Sequence, residues 1–369
     1  MVFSTPELVE AEPVEVGSEV EVALELQRRM FAGGVMRGEE GSEAKPWHPV
    51  DGTDLRNAGS HRTRHLPRCM AVATVTLRPA TVDDVAVISA VTDAQDTAWW
   101  GSPDGDIDDT RHELDQVASV MGSLETATRV AVVDENVVGF ALLSGHGHTS
   151  TAIDPSAPLA HEARAALFRW LVEAGAGEIE SPAQDVDRLT AIAAVGFVPR
   201  RSSFELERPG DVADLEPAVW PDGIAPVPFR KGIDDEEVHE MIYSVWLDVD
   251  GHTLRPLAEW RERLLGGPWF EQDLVVLARR DHGDGPVAAV ALGRRFGTDV
   301  GWVSQLAVGR PDRGVGLGRA VLVEACHRLG RTGVPVIGLG VEAENERALG
   351  LYRSVGFEVA REWVHCEPG

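Results

Sequence analysis

Positive charge is scarce in this 369-residue chain: 34 Lys and Arg stand against 60 Asp and Glu, for a net charge of −26. So acidic a surface repels phosphate backbones and anionic lipid heads, which argues against nucleic acid and membranes as partners. Lysine is almost absent, with only Lys45 and Lys231, so nearly every basic contact must come from arginine. The three cysteines, Cys69, Cys326 and Cys366, are too dispersed for a disulfide framework or a thiolate metal site. No uncharged apolar run approaches the roughly 18 residues that span a bilayer. The start of the chain lacks the basic patch and apolar stretch of a secretory leader, and a reducing cytoplasm is the expected location.

Residues 1–74 open with scattered Glu and continue in Gly, His, Arg, Pro and Ser without sustained period 2 or 3.6. Such a segment buries too little apolar surface to offset its ordering entropy, and it is expected to be a disordered extension. From Val75 onward a rhythm appears, and it appears twice. A short strand, an N-cap and an amphipathic helix at Val75–Ile88 recur at Val227–Ile242. A hairpin around Glu135-Asn136 has its counterpart around Asp284-Gly285. The helix pattern from Arg164 to Leu171 recurs from Arg319 to Cys326, and Val195-Gly-Phe197 is echoed by Val355-Gly-Phe357. Self-similarity at a constant offset is a tandem duplication. The expected units are residues 75–208 and 226–369, joined by a Pro-rich linker over 209–225.

The second unit carries the more informative stretch. A buried strand, Gly301–Val308, runs into the turn Gly309–Gly318 and then directly into a helix with Val321, Leu322, Ala325 and Leu329 on one face. A Gly-rich turn at a helix N-terminus aims unpaired N–H groups at one point and adds the positive end of the helix dipole. Arg313, and beside it Arg310 or Arg319, can add charge-assisted hydrogen bonds to phosphate oxygens. A dinucleotide fold would place an acid on the following strand, and Val334–Leu339 has none; a P-loop would need a Lys that is missing here.

These residues resemble a known family. Arg313-Gly-Val-Gly-Leu-Gly318, followed by Asn345-x-x-Ala348-x-x-x-Tyr352 and Gly356-Phe357, is similar to the paired signatures of the GNAT superfamily of N-acetyltransferases. The two-unit layout resembles its tandem members, which include the mycothiol synthases. The resemblance implies an α/β fold (α+β, mixed sheet) with two tandem GNAT-like acyltransferase units, the N-terminal one degenerate. It implies acetyl-CoA as co-substrate and an amine-bearing small molecule as acceptor. The acetyl group would pass by direct attack in a ternary complex.

Position by position, it implies that amides of Arg313, Gly314, Val315, Gly316, Leu317, Gly318 and Arg319 hold the pyrophosphate. The segment Leu306, Ala307 and Val308 would line the pantetheine, in a gap where this strand splays from Val336–Val341. Asn345 would touch the pantetheine or cap the last helix, and Tyr352 would reprotonate the departing thiolate. The general base is open: relatives often place a Glu on the strand before the loop, where this chain offers Ser304 and Gln305. Asp299, Glu342, Glu344 and His365 are the alternatives, with Glu342 the first to test.

Overlaying Arg164 on Arg319 puts Pro158 opposite Arg313 and His161 opposite Gly316, and Ile192 falls opposite Tyr352. The first unit is therefore expected to be structural and not to bind CoA. No metal is expected, since His146 and His148 have no acidic or cysteine partner nearby. The assembly is expected to be a monomer or a homodimer. Mycothiol-type acetylation of a cysteinyl amino-sugar and a non-catalytic acyl-CoA-binding or interaction module are the alternative functions.

Overall fold

The computed structural model describes residues 73–103, 107–144, 147, 149–246, 256–266 and 270–369. The expected disordered extension up to residue 72, and the pair His146 and His148, lie outside the described residues. Twelve strands and nine helices among the described residues alternate twice along the chain. The first run holds β1 (Thr76–Arg78), α1 (Val85–Trp100), α2 (Ile107–Met121), α3 (Leu124–Ala127), β2 (Thr128–Val133), β3 (Asn136–Leu143) and β4 (Thr149–Ile153). It continues through α4 (Ala160–Glu173), β5 (Ile179–Pro182), α5 (Val186–Ala194) and β6 (Phe197–Pro209). The second run holds β7 (Ala225–Val227), α6 (Asp235–Trp246), α7 (Leu257–Leu265), β8 (Val275–Arg279), β9 (Val287–Phe296) and β10 (Val300–Val308). It closes with α8 (Leu317–Gly330), β11 (Val336–Glu342), α9 (Glu346–Ser354) and β12 (Glu358–Pro368).

Local chemistry accounts for most boundaries. Thr81 and Asp84 form a capping box ahead of α1, each satisfying a donor the helix start would leave bare. The β2–β3 turn lies one residue earlier than the sequence suggested, at Asp134 (φ 46°) and Glu135 (φ 70°). Two successive left-handed residues give the type of turn whose twist matches a hairpin. On α8, Val321, Leu322, Ala325 and Leu329 are all buried, as their spacing predicts. No helix among the described residues is long and apolar enough to cross a membrane.

Each unit is layered, with apolar cores on both faces of its sheet. In the second, α6 and α7 cover one face through Val238, Ile242, Trp260 and Leu265. On the other face α8 and α9 pack through Val321, Leu322, Leu349 and Val355. The two units do not stay separate. One sheet has the order β1-β2-β3-β4, while the other runs β5-β12-β6-β11-β10-β9-β8-β7. Strand β6, the end of the first unit, is inserted between β11 and β12 of the second. In turn β12 lies between β6 and β5, with Trp363 paired to Ser203 on one side and to Pro182 on the other.

The expected boundary at residue 208 thus divides the chain but not the sheet. The expected linker is a strap: Gly210 N–H donates to Pro335 O at 2.7 Å, and Val212, Leu215, Trp220 and Ile224 pack on the second unit's core.

Candidate active site

Strands β10 and β11 are parallel neighbours only at Val300–Trp302 against Val336–Gly338. Beyond Trp302 the ladder stops, although β10 continues to Val308 and β11 to Glu342. Between Val303 and Gln305 the pairing of β10 with β9 also shifts by a residue, a bulge centred on Ser304. A bulge adds twist and turns a strand away from its neighbour. The result is the gap expected between these strands. The backbone edge of β10 from Val303 to Val308 has no strand partner on the β11 side among the described residues. Leu306 and Val308 pack toward the α8 face of the sheet and Ala307 toward the α6–α7 face.

The turn closes one end of the gap. Gly314 (φ 85°) and Gly316 (φ 90°) are left-handed, and a Cβ built on either meets no atom within 4 Å. Conformation requires glycine at these positions, and the space before them is open. Gly316 is the N-cap of α8 and has no side chain to offer its first amides, so Leu317, Gly318 and Arg319 present theirs outward. Asp312 receives a two-pronged pair from Arg280, at 2.6 and 3.0 Å, which pins the base of the turn. Sequence reasoning did not find this lock, because its halves lie 32 residues apart.

Arg313 donates from Nε to Val308 O at 3.1 Å, at the end of β10. The side chain of Arg319 turns elsewhere, donating to Ser354 O at 2.7 Å and Ser354 Oγ at 3.1 Å. It thereby ties the turn's helix to the end of α9, which carries Tyr352.

Asn345 is the N-cap of α9, its Oδ1 accepting from Ala348 N–H at 3.1 Å. Of the two roles left open for it, capping is the one formed. Tyr352 sits partly buried on the sheet's α8–α9 face, its ring 6.3 Å from that of Phe357. Its hydroxyl makes no hydrogen bond among the described residues, and burial pushes its pKa up to about 12. At working pH this phenol is a proton donor.

The candidate bases are differently placed. Glu342 ends β11 with Oε1 accepting from Arg201 at 2.8 Å. His365 lies between Glu178 and Glu180, at 3.3 and 3.0 Å, and faces Ser203 Oγ at 2.8 Å. Burial alone would depress its imidazole, but the two carboxylates outweigh it and raise the pKa to about 9. A group already protonated near neutrality cannot collect the acceptor's proton. The three side chains offer ligand atoms within 4.8 Å of one another. Arg201, which also binds Glu178 at 2.6 Å, completes a charge-balanced lock across β5, β6 and β12. Asp299 lies in the β9–β10 turn and Glu344 in the turn before α9, neither on the open edge of the gap.

On the α6–α7 side a shallow recess adjoins the bulge, lined by Leu264, Leu265, Phe270, Val275, Arg294 and Ser304 among others. Arg294 donates to Ser304 Oγ, holding the bulge. Next along β10, Gln305 Oε1 is buried with no hydrogen-bond partner among the described residues.

The matching cleft of the first unit is filled. Strands β4 and β5 do not pair at all. The backbone edge of β4 is instead satisfied by Gln95 of α1, which donates to Thr151 O (3.1 Å) and accepts from Ile153 N–H (3.0 Å). Arg188 of α5 lies across the remaining gap, donating to Glu180 O on β5 at 2.9 Å and to Thr151 Oγ1 on β4. Its guanidinium sits between the rings of Trp99 and Phe168, at 5.5 and 5.2 Å. Its counterpart in the second unit is Ala348.

The structure also shifts the helix overlay. The buried faces match when Ala163, Arg164, Leu167, Phe168 and Leu171 are set on Val321, Leu322, Ala325, Cys326 and Leu329. That places Pro158, which has no N–H, opposite Gly316, where the sequence overlay had placed His161.

The acetyltransferase (GNAT) family model matches residues 236–357. A mycothiol acetyltransferase of Kytococcus sedentarius is 30% identical over 63% of this chain and 79% of its own length. The chain belongs to the GNAT family. A second mycothiol acetyltransferase, from Thermomonospora curvata, is 29% identical over 52% of this chain and 64% of its own length. Among solved structures, a GCN5-related N-acetyltransferase from Sphaerobacter thermophilus aligns with TM-score 0.66 at 20% identity, covering 80% of this chain and 96% of that one. A tandem GNAT protein from the clavulanic acid biosynthesis pathway aligns with TM-score 0.58 at 16% identity, covering 80% and 99%. At such identities the structures speak for the fold alone. The structures give this chain a tandem GNAT fold, and the family membership makes it an acyl-CoA-dependent acetyltransferase.

Proposed function

We propose that the C-terminal unit moves an acetyl group from acetyl-CoA to the primary amine of a small molecule, by direct attack in a ternary complex. The observation that carries this reading is the gap between β10 and β11, bordered by the left-handed glycine turn and by Tyr352. The outward amides of Leu317, Gly318 and Arg319 suit the pyrophosphate, while the Arg313 N–H is taken up by Arg310 O. The unpaired edge of Leu306–Val308 suits the amides of the pantetheine, which would add to it as a strand does. When bound, the thioester supplies an activated acetyl group. The Leu306 N–H would polarise its carbonyl, and Tyr352 would return a proton to the sulfur.

The shallow, largely apolar recess beside Ser304 is the side from which an acceptor would approach. The names of the relatives favour a second acceptor, a cysteinyl amino-sugar of the mycothiol type. A primary-amine panel that includes a cysteinyl glucosamine, scored by thiol release from acetyl-CoA and by mass of the product, tests both. Turnover with amines is expected. Acetyl-CoA binding without turnover on any amine would instead leave an acyl-CoA-binding module.

A further inference from the structure

On its own unit's strands the gap has Glu342, held by Arg201, and the inserted strand brings two further carboxylates. Strand β6 is paired to β11 from Ser203 to Pro209, with Glu207 opposite Gly338 and Glu205 opposite Gly340. Gly338 is also the last partner of Trp302, so Glu207 stands in line with the point where the gap opens. Neighbouring strands lie about 4.8 Å apart, which puts the Glu207 Cα roughly 10 Å from that of Trp302. The Leu306 amide lies three ladder steps further along β10, roughly 10 Å on, so a short chain of waters joins the Glu207 carboxylate to an acceptor amine there.

The faces agree as well. Leu206 and Leu339 enter the core under α8 and α9, so Glu205 and Glu207 project from the opposite face. Trp363 confirms that side, since its indole N–H donates to Glu205 at 2.7 Å while its ring meets Trp99 and Trp100 of α1. Gly338 and Gly340 place no side chains between these carboxylates and the gap.

The two carboxylates are not equivalent. Glu205 is buried, bonded to Trp363 and 3.5 Å from Arg361. Glu207 is half-buried and has no hydrogen bond or ion pair among the described residues.

We propose that Glu207, delivered by the first unit's last strand, is the general base that deprotonates the acceptor amine in the second unit's cleft. This rests on the amine-acetylation reading above. The ammonium gives one proton to the Glu207 carboxylate, through water, and Glu207 passes it to solvent. The neutral nitrogen then bonds to the acetyl carbon, the C–S bond breaks with its electron pair left on sulfur, and the nitrogen's second proton leaves by the same carboxylate. Tyr352 protonates the sulfur from the opposite face and is reprotonated from solvent. The products are an amide, a thiol and one released proton. Burial raises the Glu207 carboxyl above the ordinary carboxylate range, with Arg361 partly offsetting it, which suits a base working near neutrality. Glu205 and Arg361 face it from β6 and β12, Glu358 is its register partner on β12, and Glu342 lies further along β11.

The test compares wild type, Glu207→Gln, Glu207→Asp, Glu358→Gln and Glu342→Gln on the best amine of the panel. For Glu207→Gln we expect kcat to fall about 100-fold at pH 7.5. Its rate should climb steadily toward pH 9.5 as the free amine takes over. Its melting temperature and calorimetric Kd for acetyl-CoA should be unchanged, while amine affinity for the CoA-loaded protein drops. Glu207→Asp should keep the wild-type pH profile at reduced rate, and Glu358→Gln should match wild type. A Glu207→Gln protein with wild-type kcat and pH profile overturns the assignment, as does a Glu342→Gln protein that alone loses the acidic limb. A wild type that binds acetyl-CoA but acetylates no amine removes the functional reading, and this proposal with it.

Discussion

The two clefts of this chain are the same device in opposite states. In the second unit the strands part beyond Trp302 and leave an unpaired edge beside a glycine turn. In the first they part completely, yet Gln95 pairs with the exposed edge and Arg188 spans the gap. The fold requires a break in the sheet, and buried backbone groups along a break need partners. A unit that binds a pantetheine arm lets the ligand supply them; a unit that does not must carry its own. In the first unit the absence of a glycine turn and the presence of an internal plug go together. The first unit has kept a structural use, since its last strand lies between β11 and β12 of its neighbour's sheet.

The predictions bear on that contrast. The largest effect is expected from Tyr352→Phe, which should lower kcat by roughly 10²–10⁴-fold. Ile192, its buried counterpart, should tolerate Ile192→Val with no change in rate, both read by thiol release. Next comes Arg188→Ala, which strips Glu180 O and Thr151 Oγ1 of their donor and opens a cavity. Denaturant unfolding should show a loss of about 2–4 kcal/mol, with KM for acetyl-CoA unchanged.

The lock at His365 should give a smaller, pH-dependent effect. Its pKa is raised from 6.5 to about 9 in the folded chain, so its contribution is full below pH 6.5 and is lost as pH rises through 9. Melting temperature should fall from pH 7 to pH 10, and that slope should flatten in His365→Gln. The smallest effect, about tenfold in KM for acetyl-CoA, is expected from Gly316→Ala, which strains a left-handed residue where phosphate should approach. Equal KM values would remove the turn from the binding site.

Much of the C-terminal cleft was legible because its parts are local. A glycine turn entering an apolar-faced helix, and Asn345 seven residues before Tyr352, are read within short windows. The duplication was legible for the same reason, as repeated short patterns. Strand exchange left no local mark: the alternation of Ser203, Glu205 and Glu207 describes a half-exposed strand whichever sheet it joins. Nothing local in the sequence marks Arg188, and only the approach of β4 and β5 makes it a plug. Glu342 looked suited to be a base from its place on β11, but its partner Arg201 comes from 141 residues away.

Isothermal titration of the full chain with acetyl-CoA tests the central claim most directly. One site per chain is predicted, abolished by bulky substitution at Gly316 and untouched by changes around Arg188. Two sites per chain, or a single site lost on altering the first unit's cleft alone, would contradict it.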